Sequence, residues 1–173
     1  MIFNGIATAI PLSLEVIMET KIIKSFTIDH DILEKGFYIS SVMDDITTYD
    51  IRVAKPNSDE IPTISALHTV EHLFACFARS SVHSGNIVYV GPMGCRTGLY
   101  FLTRNITPTD ALDIFRGACD YILGYEGVIL GAASSKECGN WLDHDLDGAK
   151  EICARMKKVL RDWNEGKMVY PDR

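Results

Sequence analysis

Residues 65–82 read SALHTVEHLFACFARSSV. Leu67, Val70, Leu73, Phe74 and Phe77 recur at three- and four-residue steps, which predicts an amphipathic helix across this stretch. His68 and His72 stand four apart, on one face of that helix and about one turn (~5.4 Å) apart along it. Both imidazoles can therefore reach a single divalent ion. Glu71 follows His68 by three positions, at the edge of the same face. Its carboxylate can reach the space beside the ion without taking a ligand position. The segment His68-Thr69-Val70-Glu71-His72 spells H-x-x-E-H, the inverted form of the H-E-x-x-H zinc motif. The alternative is a pair of solvated surface histidines; the apolar opposite side of the helix favours the metal.

A catalytic metal needs about three protein ligands and one open position. The third ligand has several candidates: Cys138, then Glu137, Glu151, His83 and His144. Cys138 is preferred, because a thiolate binds Zn or Fe(II) tightly and Gly139 lets the backbone turn close to the ion. Arg79 continues the histidine stripe, about 16 Å beyond His68 along the axis. Ala75 and Cys76 between them are small enough to leave a groove. A guanidinium at the far end of such a groove suits a carboxylate, although a basic residue near a helix C-terminus is also favourable by itself.

Outward from this helix, residues 21–29, 36–43, 46–54, 86–91 and 98–104 are rich in Ile, Val, Phe, Tyr and Thr and read as strands. A second helix starts at Thr107-Pro108, with Thr107 as cap and Pro108 in the first turn, where no hydrogen bond is lost. Its stripe is Leu112, Phe115, Ala118, Cys119 and Ile122. A last helix covers 145–164, with a stripe from Leu146 through Ile152, Cys153, Met156 and Leu160 to Trp163, and Gly166 as its stop. The fold class is α+β, with an antiparallel-rich sheet packed with helices.

The 173 residues suit one domain, and 47% apolar with 23% charged residues is ordinary globular composition. A formal net charge of −6 argues against a nucleic-acid or anionic-membrane partner. The cysteines number five, an odd count with no disulfide-like spacing, which fits a reducing cytoplasm. Cys76, Cys119 and Cys153 fall in helical apolar patterns and read as core. Cys95 and Cys138 sit beside glycines and are the candidates for chemistry. The first seventeen residues carry no basic leader segment, and their apolar run is interrupted by Pro11 and ended by Glu15, so neither a signal peptide nor a membrane span is expected. Residues 1–20 are expected to be an N-terminal extension, disordered or a start-site artefact, and residues 21–173 a single catalytic metal-binding domain.

Several blocks resemble one family. They are Ser25-Phe26-Thr27-Ile28-Asp29-His30, Tyr49-Asp50-Ile51-Arg52, Pro56-Asn57, His68-Thr69-Val70-Glu71-His72-Leu73-Phe74, Pro92-Met93-Gly94-Cys95-Arg96-Thr97-Gly98, Cys138-Gly139 and His144-Asp145-Leu146. In this order they resemble S-ribosylhomocysteine lyase, which makes the precursor of autoinducer-2. The resemblance implies His68, His72 and Cys138 as metal ligands, with Fe(II) as the ion and Zn(II) or Co(II) as alternatives. It implies Glu71 and Cys95 as the acid–base pair. It places Ser25, His30 and Arg52 along the pocket, and Arg79 is the residue to hold the substrate carboxylate. It further implies a homodimer with active sites at the interface, where the N-terminal residues serve the partner's site. The sequence departs from the family at Tyr89 and Gly91, which stand where Asp and Ser are usual, at Ala54 in place of a cysteine, and in a shorter segment after Arg79. A zinc hydrolase using Glu137 or Glu151 as third ligand, and a paralogue keeping metal only for stability, are the competing readings.

Overall fold

The computed structural model describes residues 24–58 and 60–171. The proposed N-terminal extension and the start of the strand expected at 21–29 lie outside them. Four strands form one antiparallel sheet: β1 (Gly36–Met43), β2 (Ile46–Arg52), β3 (Ile87–Pro92) and β4 (Gly98–Arg104), in the order β1-β2-β4-β3. Three helices accompany it: α1 (Ile64–Arg79), α2 (Pro108–Leu123) and α3 (Leu146–Val159). The α+β class with an antiparallel sheet is what the strand spacing predicts. No helix among the described residues is long and apolar enough to cross a membrane.

Alternation along the strands divides the sheet into two faces. Phe37, Tyr49, Ile51, Leu99 and Phe101 point to the helices and are fully buried there with Leu73, Phe74, Phe115 and Ile122. Phe74 packs its ring against both Phe101 and Phe115, at centroid distances of 5.0 and 5.2 Å. Each such fully buried aromatic or aliphatic side chain contributes roughly 1.5–3 kcal/mol. The opposite face carries Tyr38, Asp50, Arg52 and Tyr100, placed side by side by the pairings Tyr38↔Asp50, Asp50↔Tyr100 and Arg52↔Gly98. Both Asp50 and Arg52 are buried, so a charged pair lies on the face that no helix covers.

The element boundaries differ from expectation in three places. Lys24–Thr27 is a 3-10 turn rather than strand. The free edge of β1 is already taken by the C-terminal segment, since the Ile39 amide donates to the Met168 carbonyl at 2.8 Å. The Asp29 carboxylate, accepting the Asp31 amide, turns the chain away. Helix α1 stops at Arg79 because Ser80 and Ser81 donate their hydroxyls back to the Cys76 and Ala78 carbonyls, closing the last turn. Helix α3 stops at Val159, well before Gly166, where the Arg116 guanidinium donates to the Leu160 and Trp163 carbonyls. Trp163 thus leaves the helix and lies against β1, its indole N–H donating to the Phe37 carbonyl at 2.9 Å.

Candidate metal centre and the neighbouring thiol pocket

Helix α1 begins with Thr63 as cap, its hydroxyl accepting the Ala66 amide. One turn later His68 and His72 face the long connection between α2 and α3. That connection brings Cys138 and His144 to them, and ligand-type atoms of the four residues all lie within 4.8 Å of one another. The Cys138 sulfur is 3.4 Å from His68 Nε2. A tetrahedral ion with bonds of ~2.0–2.1 Å to nitrogen and ~2.3 Å to sulfur needs about 3.5 Å between such ligands.

Each imidazole is oriented through its other nitrogen. His68 Nδ1 is bonded to the Asp143 carbonyl at 2.9 Å and His72 Nδ1 to the Leu130 carbonyl at 2.8 Å. These bonds place the proton on Nδ1 and leave Nε2 as the free lone pair, the usual arrangement of a ligating histidine. Gly131 makes the second bond attainable: it holds φ +72°, and a Cβ there would stand 3.3 Å from His72 Nδ1. The Cys138 sulfur accepts the Asn140 amide at 3.4 Å, which fixes its direction. His144 stacks on His68 with ring centroids 4.0 Å apart, and its Nε2 is buried without a hydrogen-bond partner among the described residues. Burial, then the neighbouring His68 and His72, holds the His144 pKa below the ordinary histidine value. The free ring nitrogens of His68 and His72 and the Cys138 sulfur, with His144 stacked beside them, fit a divalent metal.

Thr69 inside the motif fixes this geometry, and sequence reasoning passed over it. It is fully buried. Its hydroxyl donates to the Ser65 carbonyl, accepts the Asp145 amide at 2.9 Å and lies 3.2 Å from His144 Nδ1. The signal available in the sequence was a polar residue on the apolar side of the helix. The remaining third-ligand candidates lie elsewhere. Glu137 accepts the Ala133 amide within its own loop, Glu151 lines a separate groove with Arg155, and His83 caps the short 3-10 turn Ser84–Asn86.

Glu71 and His68 line a cavity of about 380 Å³ whose other walls include Ile64, Leu67, Met93 and Arg96. Arg79 is exposed at the end of α1 and is not among its lining residues; the guanidinium at this cavity is that of Arg96. A second cavity of about 320 Å³ is lined by Phe26, His30, Arg52, Cys95 and Tyr100. The two share Pro92, Met93 and Gly94, so this turn is a common wall. Ser25 lies in the 3-10 turn Lys24–Thr27, next to Phe26.

The turn from Met93 to Gly98 is closed by the Met93–Gly98 and Arg96–Met93 hydrogen bonds, with Arg96 at φ 63°. At its end Arg52 donates to the Thr97 hydroxyl at 2.5 Å and lies 4.0 Å from the Cys95 sulfur. Because that hydroxyl oxygen accepts from Arg52, its own proton is free for Cys95, 3.1 Å away. Burial pushes the Cys95 thiol up, but the Thr97 hydrogen bonds and the Arg52 charge outweigh it, and the net shift is downward. Arg52 is itself held by two bonds to Asp50.

A metal-type cluster on an H-x-x-E-H helix, a flanking carboxylate and an activated thiol are thus assembled on one α+β scaffold. Among known proteins, the S-ribosylhomocysteine lyase of Borrelia garinii subsp. bavariensis is 40% identical over 157 residues, covering 87% of this chain and 99% of that protein. Those of Phocaeicola vulgatus and Clostridium acetobutylicum are 39% and 36% identical, each over 87% of this chain and 98% of the relative. A family profile described as S-ribosylhomocysteinase (LuxS) matches residues 23–167, which contain every residue of both cavities. The chain belongs to the S-ribosylhomocysteinase (LuxS) family.

Proposed function

We propose that this protein cleaves the thioether of S-ribosylhomocysteine, giving homocysteine and 4,5-dihydroxy-2,3-pentanedione, the autoinducer-2 precursor. The observation that carries the reading is the convergence of His68, His72 and Cys138, with His68 and Glu71 together lining one cavity. His68, His72 and Cys138 hold a divalent ion, Fe(II) in preference to Zn(II) or Co(II). When bound, that ion supplies Lewis-acid stabilisation of negative charge developing on oxygen. His144 supports the His68 ring by stacking, so that one position stays open to substrate.

The reaction opens the ribose to an aldehyde, moves the carbonyl along the chain by two aldose–ketose shifts, and expels the thiolate by β-elimination. Each shift removes a proton from a carbon beside a carbonyl and returns one to the neighbouring carbon. Two acid–base groups on different sides of the chain are required. Glu71 is one, relaying protons and assisting the elimination. Cys95 is the other; the Thr97 hydrogen bonds and the Arg52 charge shift its pKa downward and hold the thiolate in place. His30 and Arg52 line the Cys95 side, and the family resemblance assigns Ser25 to substrate binding with them. Arg96, which lines the Glu71 cavity, is the better placed guanidinium for the substrate carboxylate; Arg79, expected in that role, does not line that cavity.

Glu71 and Cys95 lie in adjoining cavities with the turn 92–94 between them. This supports a homodimer in which the Glu71 half of one protomer completes the Cys95 half of its partner. Phe26 and Ile64, one in each cavity wall, are 73% and 61% exposed and are available to that interface.

The test is addition of S-ribosylhomocysteine to anaerobically purified, metal-loaded protein, following free thiol with a chromogenic reagent. Wild type releases thiol promptly, and Glu71→Gln slows release by at least ~100-fold, the usual scale for a lost acid–base group. No release with one ion bound per chain overturns the reading.

A further inference from the structure

Tyr170 lies three residues beyond Lys167, where the family match ends. It nevertheless reaches the back of the thiol pocket. The segment from Trp163 to Tyr170 runs along β1, fastened by Trp163 Nε1 to the Phe37 carbonyl and by the Ile39 amide to the Met168 carbonyl. Met168 is fully buried. Gly36 permits the fit, since a Cβ there would meet the Trp163 ring at 2.5 Å. Tyr38 is sandwiched: Trp163 meets it edge-on at 5.5 Å and Tyr170 stacks on it at 5.2 Å. The stack leaves the Tyr170 hydroxyl 2.9 Å from Asp50 Oδ2, to which it donates. The same carboxylate oxygen accepts from Arg52 Nη2, and Arg52 Nη1 in turn holds Thr97 beside Cys95.

We propose that Tyr170 is a positioning residue for the thiol half of the site: its hydroxyl fixes Asp50, Asp50 fixes Arg52, and Arg52 with Thr97 holds the Cys95 thiolate. The inference rests on Cys95 being the acid–base group of the proposed reaction. Two physical effects act in the same direction. Without the hydroxyl, the Asp50 carboxylate keeps its two bonds to Arg52 but loses the third contact that fixes the pair against the sheet, so Arg52 is held less tightly at Thr97. Without that donor, more of the Asp50 charge is compensated by Arg52, and less of the guanidinium charge is available to the sulfur. The charged and titratable groups around Cys95 are Arg52 with Asp50 on β2, Tyr100 on β4, His30 from the segment before β1, and Arg96 in its own turn. Of these, Asp50 takes the Tyr170 hydrogen bond.

The measurement is the rate of Cys95 alkylation by iodoacetamide against pH, with the modified residue located by mass spectrometry. It needs no turnover, so it separates failure of this inference from failure of the lyase reading. Only thiolate reacts, and below its pKa the rate falls about tenfold per pH unit. Tyr170→Phe keeps the stack and removes the hydroxyl. It is expected to raise the midpoint by about half a unit, which slows alkylation about threefold below the midpoint and leaves it unchanged well above. Tyr38→Phe is the control, since the Tyr38 hydroxyl donates to the Glu34 carbonyl and not to the relay. An unchanged profile in Tyr170→Phe, or an equal shift in both variants, overturns the proposal.

Discussion

The metal centre and the thiol pocket meet at one wall yet are built in opposite ways. The metal half is built by spacing: one helix supplies two candidate ligands a turn apart, and backbone carbonyls of Asp143 and Leu130 aim the rings. Its charges are few and its ring directions are set by main chain, with the Thr69 hydroxyl holding the connection that carries His144. The thiol half is built by a relay of side chains from Tyr170 through Asp50, Arg52 and Thr97 to Cys95, drawn from β2, the turn before β4 and the C-terminal segment. A site fixed by backbone tolerates loss of a distant side chain. A site fixed by a relay transmits it.

The largest effect that separates the halves is loss of a ligand. His72→Ala is expected to lose both bound metal and turnover, because a two-ligand remnant cannot retain the ion against buffer. Cys95→Ala is expected to lose turnover by at least ~100-fold while keeping one metal per chain. Metal analysis beside the thiol assay checks both. Loss of metal in Cys95→Ala would show that the two halves are one, and would break the comparison.

A smaller effect reports how the halves are paired. In a mixed dimer of Glu71→Gln and Cys95→Ala chains, a site shared between subunits leaves one of two sites with both groups intact. Random mixing makes half the dimers mixed, so about a quarter of wild-type activity returns, whereas sites within one chain give none. Activity after co-refolding equal amounts of the two variants decides between them.

Legibility in the sequence follows the same division. The metal half was readable because its decisive spacing is local: four residues on a helix is a fixed geometry. The helix stripes and most strand limits were readable for the same reason. His144 could be named only as one of five third-ligand candidates, because its approach depends on a long connection held by Thr69. Arg79 illustrates the limit of extending a stripe. The helix does carry it onward from His68, but the cavity opens towards Ile64 and Arg96, a direction decided by where the turn 92–98 packs. In the thiol half the resemblance named Cys95 and Arg52. The coupling through Asp50 to Tyr170 spans 120 residues between donor and acceptor, and no local pattern encodes it. The strand misread at 24–27 has the same origin, since the C-terminal segment occupies the edge it would have used.

The smallest expected effect concerns the departures at Tyr89 and Gly91, and it sharpens the distinction between side-chain and backbone constraint. A Cβ on Gly91 would lie 2.0 Å from the Tyr89 hydroxyl, whereas one on Gly98 would lie 2.6 Å from the Ile51 carbonyl of the adjacent strand. By distance alone Gly91 is the tighter position. By mechanics it is the looser, because Tyr89 is 48% exposed on an edge strand and its ring can swing into solvent. The Ile51 carbonyl belongs to the middle of the sheet and moves only if β2 moves. Gly98→Ala should therefore cost about 2–3 kcal/mol, and Gly91→Ala less than ~1 kcal/mol. Thermal unfolding reads this as a drop of about 4–12 °C against at most ~4 °C. An equal loss at both sites would mean that Tyr89 is pinned over Gly91 by something stronger than contact. Tyr89 and Gly91 would then be one coupled change in the wall next to Pro92 rather than two tolerated ones.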